Sequence, residues 1–387
     1  MVQRDAIQSG TDNALFKPYD MGRFHLEHRI VYAPLTRCRA IDTVTQPAAV
    51  EYYSQRATKG GLMLTEATVI SPEGHGYPHT PGIYTQEQIN AWKPVVEAVK
   101  AKGTIFFLQL WHVGRASHND YQPNGEAPMS SSAIAASGTV YTPKGAKEYP
   151  LPRAITPEEI KMVVDQFRQG ARNSLDAGFD GVEIHSANGY ILDQFLKNGV
   201  NKRTDEYGGS IANRCRFTLE VVDAVIAEVG GDRVGIRISP FGGFLDADDD
   251  HPYALHVYLL EELNKRDLAY VHFIEPRDPS SKGVGSPLAV HDWQHKEHNL
   301  DVFRHAYKGT FIAAGGHTRQ SGIEALEKNH ADLICYGRIY LANPDLVHRF
   351  AVDAPLNKYD RDTFYTQDQE KGYTDYPFLD EADGKQA

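Results

Sequence analysis

Short apolar runs rich in β-branched residues alternate with longer amphipathic stretches along nearly the whole chain. The runs that predict strands are 29–33, 62–67, 104–110, 181–185, 234–238, 270–274, 310–313 and 333–336. Between them, apolar positions spaced at helical intervals predict helices over 86–101, 157–177, 211–229, 251–266 and 319–328. Pro157 and Pro252 follow Thr156 and His251 and sit in first turns, where the missing N–H costs nothing. Eight strands alternating with helices predict a parallel α/β protein, and eight strands close a (β/α)8 TIM barrel. A doubly wound open sheet is the alternative, but no GxGxxG follows a strand to support it.

Two segments break the alternation. Residues 15–24 precede the first strand and predict a hairpin across the bottom of the barrel. Residues 113–152 are rich in Pro, Gly, Ser and Ala and too long for an ordinary connection. They predict an insertion after strand three that caps part of the active-site face. With these included, residues 1–387 are expected to form a single domain.

Composition narrows the setting. Apolar residues make up 41%, typical of a globular chain. Forty Lys and Arg against 51 Asp and Glu leave a net charge of −11, which disfavours nucleic acid or an acidic membrane as partner. The acidic run 246–250 is expected to be a solvated loop. No apolar stretch reaches membrane-spanning length, and the first residues lack the apolar core of a secretion signal. Three scattered cysteines (Cys38, Cys215, Cys335) and the absence of a sequon fit the cytosol. His295 and His298 in HKEH have no matching carboxylate, so an exposed polar turn is expected there rather than a metal site.

The candidate chemistry lies where the strands end. In VEIHSANGYILDQFL (182–196), His185 and Asn188 stand three apart, and a helix-like turn would aim both at one spot. Together they could hold a carbonyl oxygen and stabilise charge developing on it. Tyr190 could deliver a proton to a neighbouring atom. A structural histidine and tyrosine at a helix start would give the same pattern. Gly315 and Gly316 after strand seven, with Gly337 and Arg338 after strand eight, match the usual phosphate site of a barrel. Arg237 adds a fixed positive charge, Gln109 an amide and Thr36 a hydroxyl, a set suited to a ring with alternating donors and acceptors such as an isoalloxazine.

Several stretches carry a family resemblance: APLTRCRA (33–40), GYPHTPGIYTQEQ (76–88), QLWHVGRASH (109–118), RTDEYGGSIANR (203–214), LNKYDRDTFYTQ (356–367) and GYTDYPFL (372–379). On these the chain resembles the old yellow enzyme family of FMN-dependent ene-reductases, and within it the plant oxophytodienoate reductase branch. The resemblance implies noncovalent FMN, with Pro34, Leu35 and Thr36 lining the flavin and Ala67 allowing close approach to it. It further implies that Gln109 meets the pyrimidine edge, that Arg237 lies by N1 and the C2 carbonyl, and that Gly315, Gly316, Gly337 and Arg338 hold the phosphate. His185 and Asn188 would bind the substrate oxygen, Tyr190 would be the acid, and Tyr77, Phe244 and Tyr373 would shape the cavity. The His-x-x-Asn pair is like that of yeast old yellow enzyme, whereas many plant and bacterial relatives carry His-x-x-His.

The reaction so implied is ping-pong. NADPH would pass a hydride to the flavin and leave, and an α,β-unsaturated carbonyl compound would then be reduced in the same cavity. The expected partners are therefore small molecules, and the protein a monomer or homodimer. The rivals are a flavin barrel of another reaction type, such as a nitroester or quinone reductase or a hydroxy-acid oxidase, and a flavin binder without turnover. A Schiff-base aldolase would need a lysine at a strand end, and none is there.

Overall fold

In a computed structural model of the protein, residues 10–276 and 298–379 are described. Its centre is eight strands: β1 (Ile30–Tyr32), β2 (Leu62–Leu64), β3 (Ile105–Trp111), β4 (Gly181–Ser186), β5 (Val234–Ile238), β6 (Tyr270–Ile274), β7 (Phe311–Ala314) and β8 (Leu333–Tyr336). Each pairs in parallel with the next, and β8 returns to β1, so the sheet closes as a (β/α)8 barrel. Three strands lie where the pattern puts them, and the others differ by one to three residues at an end. The largest difference is at β2. The hydroxyls of Thr65 and Thr68 both donate to the Glu66 carbonyl, which takes that carbonyl out of the ladder and ends the strand early.

The predicted helices form around the barrel, several fixed by their caps. Thr85 with Gln88, and Thr156 with Glu159, make reciprocal capping boxes at Gln86–Lys100 and Pro157–Asp176. One helix the pattern missed, Ala48–Arg56, follows β1. Its buried face is Ala49, Tyr52, Tyr53 and Arg56, so it lacks the aliphatic periodicity that marks its neighbours.

The hairpin forms from Tyr19–Met21 and Phe24–Leu26, with Gly22 at φ 56° in its turn. It lies later than expected, because Leu15 belongs to a separate short turn, Ala14–Phe16. Met21 and Leu26 are fully buried with Leu62, Tyr270 and Leu333 from the N-terminal ends of strands, so the hairpin plugs the bottom.

Residues 113–152 hold the hairpin Thr139–Thr142/Gly145–Glu148, and Met129–Ser130 pairs with Arg153–Ala154. Ser130 and Ser131 fasten this segment to Gln194. The acidic run is not wholly solvated: the Asp249 carboxylate is buried against Arg214 at 2.5 Å. Of the HKEH pair, His295 lies outside the described residues, while His298 stacks on Phe241 at 4.7 Å. Cys38, Cys215 and Cys335 are free and buried.

Candidate active site

Alternation along a strand turns every second side chain into the barrel, and the parallel register sets those side chains at matching heights. Glu183 pairs in register with Gln109, His185 with Arg237, and Arg237 with His272. Within this layer Gln109 donates its Nε2 to Glu183 at 2.6 Å, and His272 Nδ1 bonds the other carboxylate oxygen at 2.8 Å. Burial alone would push the Glu183 carboxyl up. His272, Arg237 and Gln109 more than offset it and hold the carboxyl below its ordinary range.

The Arg237 side chain makes no hydrogen bond or ion pair among the described residues, and its Nε is buried without a partner. A guanidinium held open over a polar layer is ready for an acceptor or an anion.

At the end of β4, His185 is 3% exposed, and burial with the nearby charge of Arg237 holds its pKa well below the ordinary value. It is therefore a neutral imidazole, with Nδ1 buried and unpartnered. The helix-like turn expected over residues 185–188 does not form. The strand runs through Ser186, and Asn188 and Gly189 then take left-handed φ values of 57° and 72°. The Asn188 N–H donates to Ser239 Oγ at 2.7 Å, which anchors this turn to the end of β5. Glycine is required at 189, since a Cβ there would come 2.5 Å from the Phe244 carbonyl oxygen.

Tyr190 follows as the N-cap of the helix Ile191–Leu196. Its ring stands edge-on to His185 at 5.0 Å and to Trp111 at 5.0 Å, and its hydroxyl donates to Tyr77 at 3.2 Å. Trp111 stacks on Tyr77 at 5.5 Å and, at 6.3 Å, on His185. Phe244 joins Tyr77, Tyr190 and Trp111 in one apolar cluster. Trp111 escaped the sequence reading, although it lies two residues past Gln109 and so on the same face of β3.

Tyr373 is not brought to this group. It is 1% exposed, stacked on Tyr52 at 4.0 Å and covered by Arg39 at 4.7 Å. It belongs to a clasp in which Arg37 and Arg39, both buried, donate to carbonyls of residues 363, 364, 368, 371 and 372. Tyr365, on that same segment, is half exposed.

Pro34, Leu35 and Thr36 leave β1 at its C-terminal end, and Ala67, 4% exposed, lies past the end of β2. Gly315 and Gly316 follow β7 with φ 147° and 101°, and a Cβ at 315 would strike Glu275. Gly337 caps the short helix Arg338–Ala342, which leaves its first N–H groups free, and Arg338 lies over Tyr359. The open guanidinium of Arg237, the free helix start and the exposed backbone at the paired glycines fit a phosphate-bearing flavin.

Residues 14–357 match the model of the NADH:flavin oxidoreductase / NADH oxidase family, whose members bind FMN. The chain belongs to that family. Among similar proteins, 12-oxophytodienoate reductase 1 of Oryza sativa subsp. japonica is 55% identical over 95% of this chain and 94% of its own length. The 12-oxophytodienoate reductase 2 of Arabidopsis thaliana is 53% identical over 98% and 99%. Morphinone reductase in complex with tetrahydroNAD superposes with a TM-score of 0.87 at 44% identity, over 96% of this chain and 99% of that one. The old yellow enzyme homologue from Zymomonas mobilis gives 0.87 at 39% identity, over 95% and 100%. The family resemblance and the barrel read from the sequence are thus borne out. No helix among the described residues is long and apolar enough to cross a membrane.

Proposed function

We propose that the protein is an FMN-dependent ene-reductase that reduces the C=C bond of α,β-unsaturated carbonyl compounds, with NADPH as the hydride donor. The observation that carries this reading is the grouping of a neutral, buried His185 with the open Arg237 beside it and the Tyr190 ring held edge-on to the imidazole. The named relatives are reductases of 12-oxophytodienoate and of morphinone, the latter solved with a nicotinamide analogue, which supports the same class of substrate and donor.

Pro34, Leu35, Thr36, Ala67, Gln109 and Arg237 would hold the ring system of FMN, and Gly315, Gly316, Gly337 and Arg338 its phosphate. Bound FMN supplies the hydride. Because its NH2 is given to Glu183, Gln109 keeps its carbonyl oxygen to accept a hydrogen bond. His185 and Asn188 donate to the substrate's carbonyl oxygen, which draws electron density from the β-carbon and stabilises the charge that develops on the oxygen. Tyr190 gives its hydroxyl proton to the α-carbon. Trp111, Tyr77 and Phe244 exclude water, and residues 113–152 cap the cavity within a single unit. The setting is cytosolic, and a monomer or homodimer suffices.

The test is anaerobic spectroscopy on the purified protein. A yellow protein that NADPH bleaches and 2-cyclohexenone restores, with cyclohexanone formed, supports the reading. A yellow protein that NADPH leaves unchanged assigns a binding role instead.

A further inference from the structure

Two consecutive non-glycine residues beside the site, Leu245 and Asp246, take left-handed φ values of 58° and 56° in the short turn Phe244–Asp246. L-residues disfavour that conformation, so the turn persists because its surroundings hold it. It is tied from two sides. Arg115, 1% exposed, donates Nη2 to the Leu245 carbonyl at 2.5 Å and Nη1 to the carbonyls of Ile134 and Ala135 at 2.9 and 3.4 Å. From outside, the Ser137 N–H donates to Asp246 Oδ2 at 2.6 Å.

Arg115, Ile134, Ala135 and Ser137 all lie in the segment after β3, so that segment fastens the turn. The turn in turn sits on Gly189, between Asn188 and Tyr190, and packs Phe244 against the same apolar cluster as Tyr77 and Tyr190. Among the described residues the Arg115 guanidinium hydrogen-bonds only carbonyls, and the Asp246 carboxylate on the same turn is close enough to favour its charge.

We propose that Arg115 is a positioning residue for substrate selection: by pinning the left-handed turn at 244–246, it fixes how far Phe244 projects into the cavity. The proposal rests on the reading of that cavity as an enone site. Releasing the turn lets Phe244 retreat, so a bulky enone gains on a compact one.

The test compares carvone with 2-cyclohexenone on FMN-loaded Arg115→Met and Arg115→Lys, with Asp246→Ala releasing the same turn from its outer tie. In Arg115→Met, the preference for cyclohexenone over carvone in kcat/KM falls on the order of tenfold, a change within reach of one reshaped apolar wall. The change lies mainly in KM, FMN content is kept, and Arg115→Lys recovers part of the preference. Asp246→Ala shifts the preference in the same direction, and it carries the test should Arg115→Met fail to fold. An unchanged preference in soluble, FMN-loaded variants overturns the proposal. Failure of the unaltered protein to reduce either enone would instead defeat the enone reading itself.

Discussion

The Tyr190 hydroxyl donates to that of Tyr77 across 3.2 Å, while the Tyr190 ring stands edge-on to His185 at 5.0 Å. One contact fixes where the hydroxyl sits, and the other fixes the ring against the His185 imidazole. A positioned acid contributes roughly 10²–10⁴-fold. Tyr190→Phe keeps the ring contacts and loses only the hydroxyl. Rapid mixing should show flavin reduction by NADPH at close to the normal rate and enone reduction slowed by about that factor. Quinones need no proton at carbon and should be spared. Slowed flavin reduction with normal enone turnover would remove Tyr190 from the acid role.

The charge states predict a flat pH response. Burial and Arg237 hold His185 far below its ordinary value, and burial raises the Tyr190 phenol. Neither group changes charge between about pH 6 and 9, because the imidazole is held below that range and the phenol above it. The rate of enone reduction by the pre-reduced protein should therefore show no inflection in that range. An inflection near 6.5 that disappears in His185→Gln would contradict the neutral imidazole.

Arg338 and the free helix start at Gly337 are read as the phosphate site. Losing a charge-assisted hydrogen bond there should weaken FMN binding by about 10–100-fold in Arg338→Ala. Riboflavin, which has no phosphate, should bind both proteins alike in a fluorescence titration. Equal loss for both flavins would place Arg338 elsewhere in the site.

Glu66 offers a stability test independent of turnover. Burial pushes its carboxyl up to about 7, although it accepts a hydrogen bond from the Arg37 N–H at 3.1 Å. Its folded value exceeds the unfolded one of about 4.3, so the stability it contributes is full below the unfolded value and lost as pH rises through 7. Glu66→Gln stays neutral throughout. The difference in unfolding free energy between variant and parent should shift toward the variant by on the order of 1–3 kcal/mol from pH 4 to pH 8. A difference that does not change with pH would show that the carboxyl titrates alike in the folded and unfolded protein.

The barrel was legible because its strands are short, apolar and evenly interleaved with capped helices, so every local signal agreed. The helix Ala48–Arg56 was not, since Tyr52, Tyr53 and Arg56 bury a face that scores as polar. At the site, motif residues on strand ends were readable one by one, because alternation and register set their height. Turn geometry was not. The spacing of His185 and Asn188 suggested a helical turn, but the Ser239 bond and Gly189 hold a left-handed one. Tyr373 shows the limit of motif reading, since the stacking on Tyr52 and the Arg37–Arg39 clasp that place it in the core join residues over 300 apart.

The most direct test follows the hydride. The protein is supplied with NADPH deuterated at the transferable position of C4 and with 2-cyclohexenone, and the product is analysed by mass spectrometry and NMR. Cyclohexanone carrying deuterium at the β-carbon, and none at the α-carbon, is the predicted result. Cyclohexenol carrying deuterium at the former carbonyl carbon, with the C=C bond intact, would contradict it.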